Sequence, residues 1–169
     1  MAPIISTAMK LGIISDTHDR LPTFRRAVAL FQRLSVDAIL HAGDYIAPFA
    51  AKLIGPDVLA MPLHCIYGNN DGERAGLKAV LPNIVDGPLN LKLGGRKIVM
   101  HHFIDWLKPA DIAPADIIIT GHTHNVINET KDGKLYLNPG ECCGWLTDRC
   151  TVALLDTDAM KADIVEVHE

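Results

Sequence analysis

Residues 10–18 have the sequence KLGIISDTH, an apolar run that ends directly in a carboxylate and an imidazole. A continuous apolar run is typical of a central strand that is covered on both faces. Four later apolar runs end in the same way, in short polar clusters containing Asp, Asn or His. The five clusters are Asp16-Thr17-His18, Gly43-Asp44, Gly68-Asn69-Asn70-Asp71, Met100-His101-His102 and Gly121-His122-Thr123-His124. Because ligands bind outside the carboxyl ends of strands in open α/β sheets, we expect the clusters to meet at one edge.

The first half of the chain alternates between strand and helix patterns. Strands are predicted at residues 10–15, 38–40 and 63–67, and helices at 21–34, 48–54 and 73–81. This order is typical of parallel strands joined by right-handed crossovers.

The second half predicts hairpins and one further buried strand. The hairpins pair 89–93 with 96–100, 125–130 with 134–138, and 151–155 with 162–167, and the buried strand spans 117–120. We therefore predict an α/β fold in which two sheets pack face to face with helices outside. Residues 1–169 are expected to form a single domain, with residues 1–8 as a short extension.

The bulk composition narrows the classes of partner. The chain has 169 residues and a net charge of −4, which excludes the broad basic surface that long nucleic acids require. No apolar run reaches membrane-spanning length and the N-terminus lacks a basic region, so we expect a cytoplasmic protein without a membrane partner.

The four cysteines lack CxxC spacing and are expected to be reduced thiols, with a zinc site from the last three as the alternative. The sequence leaves open a homo-oligomer.

The clusters together supply carboxylate, amide and imidazole donors, a set that suits two divalent metal ions. Two cations about 3.5–4 Å apart need a bridging carboxylate, for which Asp44 is the candidate. Asp16 and His18 alternate along an extended segment, so both can hold one ion. Asn69 offers a neutral oxygen, which limits the negative charge that an anionic phosphate meets.

The remaining candidate histidines must be assigned to one ion or the other, or to one face of their strand. His122 and His124 are two residues apart and can divide between the ions. Because side chains alternate along a strand, only one of His101 and His102 should point into the site, and we favour His101. Taken singly, each cluster is also typical of an ordinary turn or a solvated loop, so the prediction of metal binding depends on their joint occurrence.

These residues carry a family resemblance that extends from LGIISDTHD through HAGD, YGNND, IVMHH and ITGHTH to LNPG. The chain resembles the calcineurin-like metallophosphoesterases, specifically the small single-domain phosphodiesterases, a group that includes a retromer subunit. The resemblance implies a four-layer αββα sandwich of two mixed sheets with a dinuclear metal site. The implied ligands of one ion are Asp16, His18, Asp44 and His124, and those of the other are Asp44, Asn69, His101 and His122.

The resemblance also implies a reaction, the hydrolysis of a small phosphodiester by a metal-bound hydroxide. Asp44, Asn69 and His102 are the expected catalytic residues. Mn²⁺ is the expected metal, with Ni, Co, Fe and Zn as alternatives. The competing functions are an interaction scaffold whose metal site has lapsed, as in the retromer relative, and a phosphomonoesterase or small nuclease.

Three positions depart from the family pattern. Asn70 stands where larger relatives have a histidine that protonates the leaving group, and an amide cannot act as that acid, so His102 or water would have to serve. His102 replaces a glycine, and Glu141 replaces a serine. Glu141 either faces the site or lies in a solvated loop. Asn70 and Asp71 are predicted to orient ligands or loops.

Residues around the clusters are left with two interpretations each. Asp19 and Arg20 either reach the rim of the site, where Arg20 could meet phosphate, or are solvated. Four aromatic residues either form walls for a base or aryl group or pack structurally. These aromatic residues are Tyr45, Phe49, Trp106 and Trp145.

Overall fold

The computed structural model describes residues 8–168 and contains ten strands and four helices within that range. The strands are β1 (Lys10–Ile14), β2 (Ala38–His41), β3 (Leu63–Cys65), β4 (Leu89–Leu93), β5 (Arg96–Met100), β6 (Ile117–Ile119), β7 (Val126–Lys131), β8 (Lys134–Pro139), β9 (Thr151–Asp156) and β10 (Lys161–Glu166). The helices are α1 (Leu21–Arg33), α2 (Pro48–Ala51), α3 (Arg74–Val80) and α4 (Pro109–Ile112). Of the predicted extension, residues 1–8, only Ala8 lies within the described residues.

The strands form two mixed five-stranded sheets. The first has the order β10-β9-β1-β2-β3, in which β1, β2 and β3 are parallel and β9 is antiparallel to both of its neighbours. The second has the order β4-β5-β6-β8-β7, in which β5, β6 and β8 are parallel. The three predicted hairpins are confirmed as the antiparallel pairs β4–β5, β7–β8 and β9–β10.

Side-chain alternation along the strands produces the layers. Leu11 and Ile13 of β1 face the second sheet and pack in one buried cluster with Ile117 and Ile119 of β6. The next residue, Ile14, belongs to a different cluster that contains the aromatic rings of α1. On the far side of the second sheet, Val99 and Ile118 pack with Leu107 and Ala115 near α4. Each fully buried Ile or Leu stabilises the folded state by about 1.5–3 kcal/mol. Because such residues lie on both faces of each sheet, packing holds each sheet on two faces. The predicted αββα sandwich is confirmed.

The segments that differ from prediction are short. The predicted helix at 48–54 is α2 followed by a 3₁₀ turn, Lys52–Ile54. The predicted strand at 63–67 ends at Cys65, because Ile66 makes only an isolated bridge to Val85. Helix α4 and the 3₁₀ turn Ile104–Trp106 were not predicted, since neither is long enough to show helical periodicity.

Two expectations from composition are tested by the structure. The four cysteines, Cys65, Cys142, Cys143 and Cys150, are free thiols, as expected. Across residues 8–168, the helices lack the length and apolar character needed to cross a bilayer.

Candidate metal centre

The loops that follow β1, β2, β5 and β6 meet at one edge of the sandwich and hydrogen-bond to one another. The backbone N–H groups of Asp16 and Thr17 donate to the carbonyls of Gly43 and Asp44, each at 3.0 Å. In the second sheet, the N–H of Gly121 donates to the carbonyl of His102 at 3.1 Å. The predicted convergence of the clusters is therefore present in the fold.

One set of donors, the Asp16 group, consists of Asp16, His18 and His124. The Nε2 atoms of His124 and His18 lie 3.4 and 3.7 Å from Asp16 Oδ1. The ligand atoms of the three residues are close enough together to hold one metal ion. Asp16 Oδ2 is occupied separately, because it accepts hydrogen bonds from Ser15 and from the backbone of His122. Its other oxygen is left to the group.

A second set, the Asn69 group, consists of Asn69, His102 and His122. Asn69 Oδ1 lies 3.0 Å from His102 Nε2 and 3.0 Å from His122 Nδ1. Asp44 stands between the two groups, with its Oδ2 atom 3.4 Å from His18 Nε2 and 3.4 Å from His102 Nε2. This is the position that a bridging carboxylate would need.

The geometry brings His102, and not the expected His101, into contact with the other predicted donors. His101 Nδ1 accepts a hydrogen bond from the backbone of Phe103 at 3.0 Å, and its ring lies against Trp106. His102 instead donates from Nδ1 to the carbonyl of Ala42 at 2.7 Å, which leaves Nε2 for the Asn69 group. His102 lies two residues after Met100, whose side chain packs between the sheets, so alternation along the chain places both on the same face.

The same contacts bear on the expected catalytic role of His102. Both of its ring nitrogens are engaged, one with a carbonyl and one within the Asn69 group. Neither nitrogen is therefore available as a free acid for a leaving group. The geometry places His102 among the donors.

The site fits a divalent cation on two independent observations. Asp16 and Asp44 are fully buried, and buried carboxylates require positive charge nearby. Among the described residues, Asp16 Oδ1 and His18 Nε2 are buried polar atoms without a hydrogen-bond partner, and both face the Asp16 group. Such orphaned atoms are costly unless a ligand satisfies them. Carboxylate, amide and imidazole donors match Mn²⁺ and the later divalent metals.

Protonation of the metal-free site shows the same demand for positive charge. Burial lowers the pKa of His18, but the carboxylates of Asp16 and Asp44, which lie 3.7 and 3.4 Å from its Nε2 atom, outweigh this effect and raise the pKa to about 9. Burial also opposes ionisation of Asp44, yet His102 and His18 hold its pKa well below the usual range. The carboxylate of Asp44 therefore stays ionised and attracts a cation.

Several of these donor residues have left-handed backbone conformations, which residues other than glycine rarely adopt. The φ values are 52° at Asp16, 37° at His18, 63° at Asp44, 68° at His122 and 62° at His124. Each such residue costs about 1–3 kcal/mol, and such strain is typical of functional sites. Close packing of the loops adds a steric requirement, because a Cβ at Gly68 would collide with Asp44 and one at Gly121 with Ser15.

Asn70 and Asp71 hold Asp44 and its loop in place through hydrogen bonds. The backbone and side-chain amides of Asn70 donate to the two carboxylate oxygens of Asp44, at 2.9 and 2.8 Å. Asp71 is buried and accepts hydrogen bonds from four backbone N–H groups of the two loops. The donors are the N–H groups of Asp44, Tyr45, Ile46 and Gly68.

Glu141 is buried against the Asp16 group, so the solvated-loop interpretation is wrong. The Nδ1–H of His124 donates to Glu141 Oε2 at 2.6 Å, which fixes the tautomer and turns Nε2 toward Asp16. Glu141 Oε1 accepts hydrogen bonds from the backbone of Leu146 and from the backbone and hydroxyl of Thr147. Burial raises the pKa of Glu141, but these hydrogen bonds lower it to about 2. It is a positioning residue that sequence reasoning left undecided.

Asp19 and Arg20, the two residues considered for the rim of the site, both make structural contacts. Asp19 accepts a hydrogen bond from the backbone of Ala47 at 3.0 Å. Arg20 donates to the carbonyl of Cys143 at 2.6 Å and stacks over Trp145. The indole N–H of Trp145 in turn donates to the carbonyl of His18. These contacts brace the loop that carries His18.

A cavity of about 460 Å³ opens beside the Asn69 group. Asn69 and His102 line one part of it, and the two aromatic residues Phe103 and Trp106 line another. Phe49, although 56% exposed, is not among its lining residues. A separate apolar cavity of about 230 Å³ beside β3 contains none of the donors. Substrate therefore has room next to the Asn69 group.

The sequence profile of the calcineurin-like phosphoesterase superfamily domain matches residues 9–160. The chain belongs to this superfamily. Among its curated relatives, phosphodiesterase MJ0936 of Methanocaldococcus jannaschii is 38% identical over 158 residues, which cover 89% of this chain and 94% of the relative. A probable metallophosphoesterase of Methanothermobacter thermautotrophicus is 29% identical over 93% of this chain and 92% of the relative.

Solved structures agree with this assignment to the calcineurin-like phosphoesterases. A structure described as a novel archaeal phosphodiesterase has a TM-score of 0.84 and 35% identity, covering 94% of this chain and 99% of that one. Vps29 of Entamoeba histolytica has a TM-score of 0.63 at 22% identity, covering 95% of this chain and all of that one, which shows a shared fold. The chain is thus a phosphoric ester hydrolase, as predicted, and its family implies divalent metal ions.

Proposed function

We propose that this phosphoesterase is a phosphodiesterase that uses two divalent metal ions. The Asp16 group would hold one ion, the Asn69 group would hold the other, and Asp44 would be shared. Mn²⁺ is the metal we expect first, and a small phosphodiester is the expected substrate. The name of the relative from Methanocaldococcus jannaschii, a phosphodiesterase at 38% identity, supports the choice of diester over monoester.

The observation that carries this proposal is the place of Asp44 between the two donor groups. Its Oδ2 atom is 3.4 Å from an imidazole nitrogen of each group. A carboxylate that lies between two neighbouring cations offsets part of the repulsion between them. The unpartnered Asp16 Oδ1 and His18 Nε2 atoms support occupancy of the first group.

When bound, the two ions would supply a nucleophilic water at neutral pH and neutralise charge on the phosphoryl oxygens. The residues of this chain bind and orient. Asn69 and the two imidazoles of its group are neutral donors beside the cavity, so this group itself adds no repulsion toward an anionic diester. The side chain of Asn70 is committed to Asp44 and cannot donate a proton at neutral pH, so esters with good leaving groups should react fastest.

The proposal is tested with chelator-treated protein reloaded with Mn²⁺, Ni²⁺, Co²⁺ or Zn²⁺. We expect hydrolysis of bis(p-nitrophenyl) phosphate with at least one metal, and two ions per chain by elemental analysis. The diester should be preferred to p-nitrophenyl phosphate, the corresponding monoester. Inactivity with all four metals would overturn the proposal.

The alternative is an interaction scaffold without a working metal site, for which the fold of Vps29 is the only support. A lapsed site would be expected to have lost donors, whereas both donor groups and Asp44 are present. Thermal unfolding tests whether the site still binds metal, and the hydrolysis assay then separates the two functions. Metal at about 100 times its Kd should stabilise a working site by about 2.7 kcal/mol, and a lapsed site should show no shift in Tm.

A further inference from the structure

A row of aromatic rings leads from the Asn69 group along the wall of the adjacent cavity. The ring of Phe103 lies over His122, with centroids 4.0 Å apart, and Trp106 stacks on Phe103 at 4.7 Å with nearly parallel planes. His101 contacts the same indole from its own side, at 5.8 Å between ring centroids. Two ring-to-ring steps therefore separate a proposed metal donor from Trp106.

Trp106 is not accounted for by packing alone. It is 65% exposed even though it lies against Phe103 and lines the cavity. The other tryptophan, Trp145, is also exposed, but Arg20 covers its ring and its N–H bonds to a loop carbonyl. Trp145 has a structural explanation in the loop that carries His18. Trp106 has an open aromatic surface next to the site.

We propose that Phe103 and Trp106 form a stacking surface for the base of a nucleoside phosphodiester. This inference rests on the proposed phosphodiesterase function and names its substrate class. A base stacks on an exposed indole because both are flat and polarisable, and every base has a π face. In a nucleotide one sugar ring separates the base from phosphorus, and in the site one ring, that of Phe103, separates His122 of the Asn69 group from Trp106.

The rest of the cavity favours a base over a simple aryl or alkyl group. Arg74 and Asp86 line it and form an ion pair at 2.6 Å, and the Arg74 guanidinium also lies over Tyr67. The edge of a base carries donors and acceptors that these charged groups can meet, whereas a phenyl or alkyl group carries none. A volume of about 460 Å³ lies within the range of pockets that bind ligands of nucleoside size.

Binding is measured first, with the Mn²⁺-loaded protein and two ligands that differ only in the base. Calorimetric titration should show adenosine 5′-monophosphate binding about tenfold more tightly than ribose 5-phosphate. In Trp106→Ala the two ligands should bind equally, and in Trp106→Phe most of the difference should return. Phe49→Ala, which removes an exposed ring outside the cavity, should behave as wild type. Equal binding of the two ligands by the wild type would overturn the inference.

Kinetics then show which ester group contacts the rings. Thymidine 5′-(p-nitrophenyl phosphate) and methyl p-nitrophenyl phosphate share a leaving group and differ in the group retained on phosphorus. Trp106→Ala should raise KM about tenfold for the thymidine ester and leave kcat and the methyl ester nearly unchanged. An equal rise for both esters would place the leaving aryl group on Trp106 and overturn the assignment to a base.

The two proposals fail separately in these experiments. Hydrolysis of bis(p-nitrophenyl) phosphate by the wild type reports on the proposed function alone. An active enzyme without base preference would reject the stacking surface and retain the phosphodiesterase. An enzyme inactive with every diester would reject the proposed function, on which the substrate class depends.

Discussion

The Asp16 group and the Asn69 group each contribute two imidazoles, yet they differ in charge. The Asp16 group contains a carboxylate and is backed by a second one, Glu141, at hydrogen-bond distance from His124. The Asn69 group contains only neutral donors and is backed by the carbonyl of Ala42. Charge on the ligands tightens the hold on a cation. In the proposed enzyme, the Asp16 group would hold its ion more tightly and the neutral Asn69 group would face the anionic substrate.

The largest effect is expected when the residue common to both groups is changed. Asp44→Asn keeps the shape but removes the charge that both ions would share. We expect kcat/KM for bis(p-nitrophenyl) phosphate to fall roughly 10³-fold, about 4 kcal/mol, with metal content below one ion per chain. A variant that retained two ions and near-normal activity would show that Asp44 is not the bridge.

A matched pair of histidines tests the neutral side. In His102→Ala, the affinity of the Asn69 group for its metal ion should fall at least about 100-fold, while the ion of the Asp16 group should stay bound. His101→Ala is the control, because His101 lies outside the donor set and should retain two ions. Elemental analysis after gel filtration checks both. The reverse result would restore the sequence-based preference for His101.

The anionic side is tested through its positioning residue. Glu141→Gln keeps an acceptor oxygen near His124 but removes the charge behind it. Metal affinity of the Asp16 group should fall about 10- to 100-fold, as is usual when a carboxylate that orients a ligating histidine is neutralised. Competitive titration with a chelating dye measures this loss. Loss of the other ion instead would mean that the groups are assigned to the wrong sides.

The smallest effect comes from making the two sides alike in charge. Asn69→Asp should bind metal more tightly but raise KM for an anionic diester about fivefold, close to 1 kcal/mol of added repulsion. A neutral triester should show no change in KM, which provides the control. An unchanged KM for the diester would mean that substrate does not approach from the Asn69 side.

Local pattern predicted most of the framework. Apolar runs that end in polar clusters located β1, β2 and β6. Turn signals at Gly94-Gly95, Asp132-Gly133 and Asp156-Thr157-Asp158 located the hairpins, because these features depend on neighbouring residues. The donors Asp16, His18, Asp44 and Asn69 come together because they follow strands whose ends share one edge.

Other features depend on contacts between distant segments and were not predictable. Glu141 is 17 residues from His124 in sequence, and its burial results from packing of the loop after β8. The choice between His101 and His102 depends on which face of β5 meets the first sheet. The ring row of Phe103 and Trp106 requires a 3₁₀ turn too short to leave a periodic signal.

The two oxygens of Glu141 have different partners, and this has a dynamic consequence. One oxygen holds His124, while the other receives the backbone amides of Leu146 and Thr147. An ion that fixes His124 also fixes the carboxylate, and so slows local opening of residues 144–149. Amide hydrogen exchange at Leu146 and Thr147 should therefore slow when metal is added. Metal binding would then be detected as slower amide hydrogen exchange in a surface loop that contributes no ligand to the metal.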